Sequence, residues 1–479
     1  MNKVRTGFTR QEKSMLRPIV LCAALMVAAC AHVDTSKPQA ELPPMTGQAP
    51  AGAEKFWTLF GDEQLTRLVE EALANNRDLK IAVARIEEAR ANLRIARMTL
   101  YPALDVTGGA GRSKLSGAIE LPPGTPLIAN SFNLGLSAAY EVDLWGKLAA
   151  GRDAASSSLL ATQYAAETVR IALASQVATT YFSLRSLDAD LRLTRETLTT
   201  RDENVRLQRS RASGGVISEL DLRFAEAERA TVAATIPTLE RAVAQTEAAL
   251  ARLAGRSARG VYTPEIARGL EIDEKAAAPD VPSGLPSDLL ERRPDIRQAE
   301  ASLMATRAQT AEAHAQYFPS VVLTGSLGQQ SADLSDLFTA PARIWSVAGS
   351  LLQPIIGLKR IEAEVDAATA RSEQAALFYQ QSVVDALRDV HDALIAHSSA
   401  RAAFVAQTDR RDKQADVLRL AELRYRNGYS SYLEVLDAQR NLFDAERARL
   451  LALRERQSAV VDLYRALGGG WTPDQVAAR

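Results

Sequence analysis

The chain has 479 residues, a formal net charge of −1 and only 5% aromatic residues. The near-neutral charge argues against a nucleic-acid-binding protein, because such proteins normally present a basic face to the phosphates. A composition rich in Ala and poor in aromatic residues favours long helices packed through small side chains over a compact core built on Phe and Trp.

The N-terminus has the layout of a secretory signal peptide. Basic residues from Lys3 to Arg17 precede an apolar run, Pro18–Ala29, which is too short to span a bilayer. Small residues directly before Cys30 resemble a bacterial lipoprotein cleavage box, so residues 1–29 are predicted to be removed and Cys30 to be lipidated. The alternative is an ordinary signal peptide with a cysteine near its end. Met15 would give a more usual start to such a peptide.

A tether is predicted next. Residues 30–60 are assigned to it because 31–55 are rich in Pro, Ala and Gly, which favours an extended chain. A helical pattern then runs from Asp62 to Leu100, and Tyr101-Pro102 ends it because Pro cannot continue the hydrogen-bond ladder.

Two strands follow this helical region, at about 103–112 and 132–143. From Phe132 to Tyr140 apolar residues alternate with polar or small ones, which is typical of a strand with one apolar face. The intervening residues 113–131 are predicted to form a Pro-rich loop.

Long helices come after the strands. No Gly or Pro occurs between Arg152 and Ser213, which allows a rod of roughly 90 Å. A tip at about 211–218 and a return helix, with Pro237 as a kink, complete a first unit over 61–255. Apolar residues at roughly heptad spacing favour coiled-coil-like packing of these rods.

The sequence then repeats itself after an irregular linker at 256–284. Matching residues lie 217 positions apart before the strand pair and 213 apart after it, as in Pro102 and Pro319, then Gly215 and Gly428. The second unit, 285–470, is therefore four residues shorter within its strands or their connecting loop. Its strands are predicted at about 320–330 and 344–355 and its tip at about 424–431, with 471–479 as a C-terminal tail.

The second tip has a specific turn pattern. Asn427-Gly428 provides the left-handed residue that ends a helix. Ser431 is a good N-cap for the next helix, and Ser431-x-x-Glu434 fits a capping box. The two tips are predicted to share one design.

Four strands per chain cannot close a barrel, and open sheet edges are not tolerated in lipid. Either the strands form a soluble sheet, or three chains pool twelve of them around a lumen. Aromatic residues favour the membrane alternative, because strand order places four of them near one rim as a girdle: Tyr101, Tyr140, Trp145 and Phe318. Trp345 is expected near the opposite rim.

Four motifs resemble the TolC-like outer-membrane channels of efflux and type I secretion systems, in particular the lipidated OprM/NodT-type branch. They are YEVDLWGKL, LPSDLLERRPDIRQAE, SYLEVLDAQR and LYRALGGGW, and they spread over nearly all of the mature chain. The resemblance implies a mainly α fold with a small transmembrane β part, in which two tandem helix-strand-strand-helix-helix repeats assemble as a homotrimer. A twelve-stranded β-barrel in the outer membrane would continue into a twelve-helix α-barrel in the periplasm.

The same resemblance implies partners and a gate. A periplasmic adaptor and an inner-membrane pump, expected to be proton-driven, would dock at the far end of the helices, and residues 256–284 would belong to an equatorial belt. Carried over by motif, the periplasmic gate comprises Asp221, Tyr425, Leu433, Glu434 and Asp437. In a trimer each of these side chains becomes a ring of three, and rings of carboxylates favour cations.

Simpler roles are open for each gate residue. Asp221 and Glu434 could cap their helices, and Asp437 could pair with Arg440. Tyr425 could be ordinary packing, and Leu433 could belong to the core.

Two departures from the family pattern stand out. The family's Asp-Gly-Gly-like run is replaced at Gln353–Lys359 by a segment with a single Gly. Leu220 stands where some relatives carry a hydrogen-bonding residue in the first tip.

The predicted function is a passive exit duct for small molecules such as drugs or toxic compounds. It needs no catalytic residue, cofactor or metal; His391 and His397, for example, do not have the helical spacing of metal ligands. The alternatives are a periplasmic coiled-coil adaptor or scaffold lipoprotein, and the same channel fold serving type I protein secretion.

Overall fold

The computed structural model describes residues 55–118, 126–271 and 292–469, all within a unit that spans 40–479. Cys30, the signal peptide, most of the tether and the C-terminal tail lie outside the described residues. The first helices are α1 (Glu63–Asn75) and α2 (Arg77–Met98), followed by strands β1 (Ala103–Lys114) and β2 (Ile128–Val142).

Two helices separated by a tip come next, α3 (Lys147–Ser213) and α4 (Glu219–Leu253), then the short α5 (Ala258–Tyr262). The second unit follows the same order. Its elements are α6 (Pro294–Ala315), β3 (Ser320–Ser331), β4 (Arg343–Leu352), α7 (Leu358–Arg426) and α8 (Tyr432–Ala466). None of the helices in the described ranges combines the length and apolar character of a transmembrane helix.

Several predicted boundaries differ from the structure. The loop predicted at 113–131 is shorter, because β2 begins at Ile128 and the β1–β2 pairing extends to Lys114↔Ile128. The fourth strand ends at Leu352, three residues before its predicted end. Pro354 follows two residues later and has no N–H group with which to continue the strand pairing. The linker predicted to be irregular at 256–284 contains α5, whose N-terminus is capped by Ser257.

The end of the predicted tether is part of the core. Phe56–Phe60 forms a 3-10 turn whose Phe56, Trp57 and Phe60 side chains are buried. Phe56 stacks on Tyr464 of α8 at 5.9 Å between ring centroids, and Phe60 packs on Phe182 of α3 at 4.8 Å. The largest cluster of buried residues therefore joins the N-terminal turn to α1, α3, α4 and α8.

A buried carboxylate stabilises this cluster. Asp62 caps α1 by accepting from the Gln64 and Leu65 N–H groups, and it also accepts from the Tyr181 hydroxyl at 2.7 Å and the Leu270 N–H at 3.2 Å. Burial and the neighbouring carboxylate raise the pKa of Tyr181. Asp62 therefore ties the start of the first unit to α3 and to the segment after α5.

The four strands form one antiparallel sheet in the order β1-β2-β3-β4. Ala103 pairs with Ala139 in the first hairpin, and Ser320 pairs with Leu352 in the second. These two pairs are related by the sequence shifts of 217 and 213, so both hairpins have the same register. The four residues missing from the second unit consequently lie in the loop that connects β3 to β4.

The sheet has one apolar and one polar face. Residues of alternate register positions form the apolar face across all four strands: Leu104, Val106, Leu134, Leu136, Leu323, Leu327, Trp345 and Val347. The opposite face carries Asp105, Thr107, Asn133, Ser137, Thr324, Ser326 and Ser346.

Glycines allow a close approach on the polar face. Gly135 pairs with Gly328, and a Cβ added at Gly328 would lie 2.7 Å from the Leu134 carbonyl oxygen and 2.8 Å from the Gly135 Cα. Strands that approach this closely on one face curve toward that face, as glycine kinks do in barrels. The close approach at these glycines favours curvature of the sheet toward the polar face.

We predict that Gly328→Ala destabilises the sheet by about 1–3 kcal/mol, because the added methyl group would overlap backbone atoms that cannot move aside. Gly325→Ala is the matched control, since its Cβ would meet only the Ser346 carbonyl oxygen, at 3.9 Å. Thermal unfolding of the purified protein in detergent measures both. Equal midpoints for the two variants would contradict the close approach.

Asp62→Ala is predicted to lower the free energy of unfolding by about 3 kcal/mol, because it removes a helix cap and leaves the Tyr181 hydroxyl and the Leu270 N–H without their acceptor. Tyr181→Phe keeps the helix cap and the Leu270 bond but removes the bond to Asp62 and the acceptor of the Gly269 N–H, and it should cost about 1–2 kcal/mol. Denaturant unfolding followed by circular dichroism compares the two, and a larger loss for Tyr181→Phe would be inconsistent with this role of Asp62.

Candidate gate at the hairpin tips

Both tips end their first helix in the same way. Gly215 and Gly428 have φ values of 71° and 75°, the left-handed conformation that Gly adopts without strain. The N–H of the residue after each Gly donates to the carbonyl of Arg211 or Arg424 at 2.9 Å. This is the Schellman arrangement, and it confirms the prediction that Gly428 ends its helix left-handed.

The two return helices begin differently. In the first tip the Asp221 N–H donates to the Ser218 hydroxyl oxygen at 3.2 Å, and that hydroxyl donates to the Asp221 carboxylate at 2.9 Å. In the second tip Ser431 has the extended N-cap conformation, but its side chain makes no capping hydrogen bond. The predicted capping box of Ser431 and Glu434 is therefore wrong, whereas Asp221 does take part in a cap.

The predicted gate residues of α8 share an exposed face. Leu433 is 52% exposed, and Glu434 and Asp437 are also exposed, whereas Tyr432, Val435, Leu436 and Ala438 are buried. Leu433 is therefore not a core residue of the single chain. One face of α8 is therefore packed, and the opposite face exposes one apolar and two acidic residues.

Asp437 does not pair with Arg440, as one alternative suggested. It accepts a hydrogen bond from the Asn441 amide at 3.1 Å, whereas the Arg440 guanidinium donates to Glu228 of α4, with its Nε at 2.6 Å from the carboxylate. The Asp437 carboxylate is therefore available at the exposed face. Arg440 joins α8 to α4, the return helix of the first tip.

Tyr425 contacts the first tip as well. The Arg211 guanidinium lies 6.0 Å from the centroid of its ring, and Arg211 Nη1 is 3.4 Å from its hydroxyl. The ring packs on Tyr432 at 5.5 Å between centroids. Tyr425 therefore connects the second tip to the first through Arg211. Asp221, in contrast, forms its hydrogen bond with Ser218 of the same, first tip.

A buried polar network lies next to these tips, and the sequence did not point to it. Glu228 is 6% exposed and accepts from Arg440, and the neighbouring Arg201 is 5% exposed. Burial lowers the pKa of Arg201, and the Glu228 carboxylate opposes that effect. The Asn204 amide donates to the Tyr432 hydroxyl at 2.5 Å. This network joins α3, α4 and α8.

Only one signal could have identified that network. Arg201, Asn204 and Gln208 lie three and four residues apart on α3, which places them on one helix face. Polar residues occur on every face of this helix, so the pattern does not say which face is buried.

The junctions between sheet and helices also differ between the repeats. Before α3, Gly146 is left-handed at φ 73°, and the Asp143 carboxylate accepts from the Leu148 and Ala149 N–H groups. Before α7, Gly357 has a φ of −72° and no side chain caps the helix. The departure noted at Gln353–Lys359 therefore gives this junction another backbone shape.

At this same end of the strands, where they join the helices, aromatic residues come together at one rim. Trp145 stacks on Phe318 at 4.8 Å between ring centroids, and its Nε1–H donates to the Pro319 carbonyl at 2.8 Å. Tyr101 precedes β1, and Trp345 lies on β4 near the opposite rim, paired with Leu327. The positions expected from strand order are confirmed.

The sequence matches the family of outer membrane efflux proteins over residues 68–256 and 285–469, one match for each repeat. The chain is 36% identical over 483 residues to the solvent efflux pump outer membrane protein SrpC of Pseudomonas putida, covering 96% of this chain and 99% of that protein. It is 34% identical over 461 residues to the cation efflux system protein CusC of Escherichia coli O6:H1, covering 94% and 98%. The structure of the CmeC outer membrane channel of Campylobacter jejuni superposes with a TM-score of 0.84 at 26% identity, covering 91% of this chain and 95% of that one.

The chain belongs to the outer membrane efflux protein family. It is an exit channel of the outer membrane that serves efflux, with a mostly helical fold and a small sheet, as the sequence resemblance implied. This outcome favours the channel over the adaptor or scaffold hypothesis. The relatives are channel and transport proteins, and none of those described above is named as an enzyme.

We predict that Glu228→Ala destabilises the tips by about 1–3 kcal/mol, because it removes the carboxylate that accepts from Arg440 and that offsets the charge of buried Arg201. The control is Glu226→Ala, two residues away on α4. Glu226 pairs with Arg209 and Arg223 at the surface, so its loss should change little. Limited proteolysis of the purified channel reports tip stability; cleavage at equal rates in both variants would refute the role of the network.

Proposed function

We propose that three copies of the chain assemble into one channel. The observation that supports this most directly is the four-stranded sheet, which has an apolar face and, within the described residues, two edge strands without a neighbour, β1 and β4. Pairing β1 of one copy with β4 of the next satisfies both edges, and three copies give a closed twelve-stranded barrel around a polar lumen. In this arrangement the polar face of the sheet lines that lumen.

The helices of the three copies then enclose a twelve-helix tube below the barrel. The exposed face of α8 turns toward the interior of this tube, so that Leu433, Glu434 and Asp437 each form a ring of three at the periplasmic end. Three carboxylates at one level attract cations and repel one another. Asp221 contributes to the proposed gate from the first tip. Tyr425 contributes from the second tip, where it contacts Arg211 of the first tip.

The tips are also the proposed docking site for a periplasmic adaptor and, through it, for a proton-driven inner-membrane pump. Relatives are named for solvent, antibiotic and cation efflux. We propose small toxic compounds and drugs as cargo here, with choice of cargo made by the pump. The proposal includes lipidation of Cys30, which would anchor each copy in the outer membrane through acyl chains.

Single-channel recording in planar bilayers tests the gate. The purified protein should migrate as a trimer and form a cation-preferring pore. The double variant Asp221→Ala/Asp437→Ala should conduct more than the wild type, because the constriction loses its carboxylates and the Ser218 contact, and its cation preference should fall several-fold.

Asp416→Ala is the matched control, since Asp416 is exposed on α7 and pairs with Arg419 instead of lying on the α8 face. It should leave conductance and selectivity unchanged. An anion-preferring wild-type pore, or a double variant that behaves like the control, would reject the acidic gate while leaving the trimer itself standing.

A further inference from the structure

Three cations lie on the apolar face of the sheet at the end far from the aromatic rim. Arg112 and Lys114 are on β1 and Arg343 is on β4, at register positions that share a face with Leu134, Leu327 and other apolar residues. We call them the outer-rim cations. All three are exposed, and no described residue forms a hydrogen bond or ion pair with their side chains.

Their depth matches the far surface of a bilayer. β1 runs from just after Tyr101 to Lys114, and a tilted strand of this length rises about 25–30 Å. The apolar band of an outer-membrane barrel is about 25 Å tall. With the aromatic rim at the periplasmic surface, the outer-rim cations therefore stand at the level of the outer-leaflet headgroups.

An apolar cleft leads up to one of these cations. Its volume is about 500 Å³, and its floor is formed by side chains from three strands, including Val106, Leu136 and Leu327. Phe338, from the loop between β3 and β4, also lines the cleft, and Gln329 and Arg343 pair at the outer end of its strands. An apolar floor that ends at an exposed guanidinium fits an amphiphile with an acyl chain and an anionic headgroup.

In the proposed trimer, the outer-rim cations of one copy would lie beside those of the next copy. Within one chain, β1 and β4 are separated by two strands. If copies pair edge to edge, as proposed above, Arg112 and Lys114 of one copy stand about one strand spacing, about 5 Å, from the β4 edge that carries Arg343 of the next. Each seam between copies then carries a cluster of three cations.

We propose that this rim binds a phosphate-bearing glycolipid of the outer leaflet, with its phosphates on the outer-rim cations and an acyl chain in the cleft. Guanidinium groups bind phosphate through paired hydrogen bonds, and the lysine adds a point charge. Asp333 and Asp336 lie in the loop between β3 and β4, and neither forms a hydrogen bond or ion pair with an outer-rim cation. The part played by the seam rests on the proposed trimer, whereas the cleft and Arg343 belong to each single copy.

Native mass spectrometry of the full-length protein in detergent tests this site, with bis-phosphorylated lipid A as the probe. Lipid A stripped of its phosphates, and inorganic phosphate, are the comparison ligands. The wild type should bind the phosphorylated form at least about tenfold more tightly than the stripped form. Inorganic phosphate should not displace it, because it lacks the acyl chains.

The variant Arg112→Gln/Lys114→Gln/Arg343→Gln should lose this preference. The matched control Arg259→Gln/Arg410→Gln/Lys413→Gln removes the same charge from exposed helical positions and should keep it. A charge-preserving variant, Arg112→Lys/Lys114→Arg/Arg343→Lys, should retain most of the binding and shows that the sites tolerate substitution.

Equal binding of the phosphorylated and stripped lipids by the wild type, or equal losses in the rim variant and its control, would overturn the proposal. Competition by inorganic phosphate would indicate a simple anion site and would overturn it as well. The same spectra report the number of chains. A monomer that still loses its lipid preference on Arg343→Gln alone would refute the trimer but support the lipid site.

Discussion

The unpaired edges of the β-sheet are the constraint that governs the rest of the molecule. Four strands expose a row of backbone donors and acceptors at each side, and hydrocarbon offers them no partner. Only closure with identical sheets satisfies both edges, and closure then places the helices of neighbouring copies side by side. In the proposed trimer the exposed residues of α8 would line the tube for the same reason, because the interior forms only when the copies assemble.

The duplication makes that closure regular. Both hairpins have the same strand register, and both tips have the same left-handed glycine and the same backbone hydrogen bonds. The repeats differ at three places. These are the loop between β3 and β4, the junction before α7, and the N-cap of the return helix, which Ser218 forms and Ser431 does not. In the proposed trimer these differences would make alternate hairpins unlike, and the proposed gate residues lie on the parts that differ.

Local rules in the sequence predicted much of this arrangement. Strand alternation, the stop at Tyr101-Pro102 and the turn at Gly428 depend on neighbouring residues, and each was found where expected. The partners of Arg440 and Tyr425 were not predictable, because Glu228 and Arg211 lie more than 200 positions away in the sequence. Helix periodicity shows which residues share a face but not which other helix that face meets. Burial of Phe56 and Trp57 was missed because a short aromatic turn has no periodicity to detect.

The position of Asp62 has a mechanical consequence. It fixes α3 at Tyr181, and about 50 Å of uninterrupted helix lies between that point and the first tip. A rigid arm of that length converts a tilt of about 5° at its pivot into a displacement of about 4 Å at its end. In the proposed channel, a small change of packing around Asp62 would therefore change the aperture at the tips while the helix itself stays intact. The hydrogen bonds of Asp62, far from the tips, would then limit how far the helices can tilt.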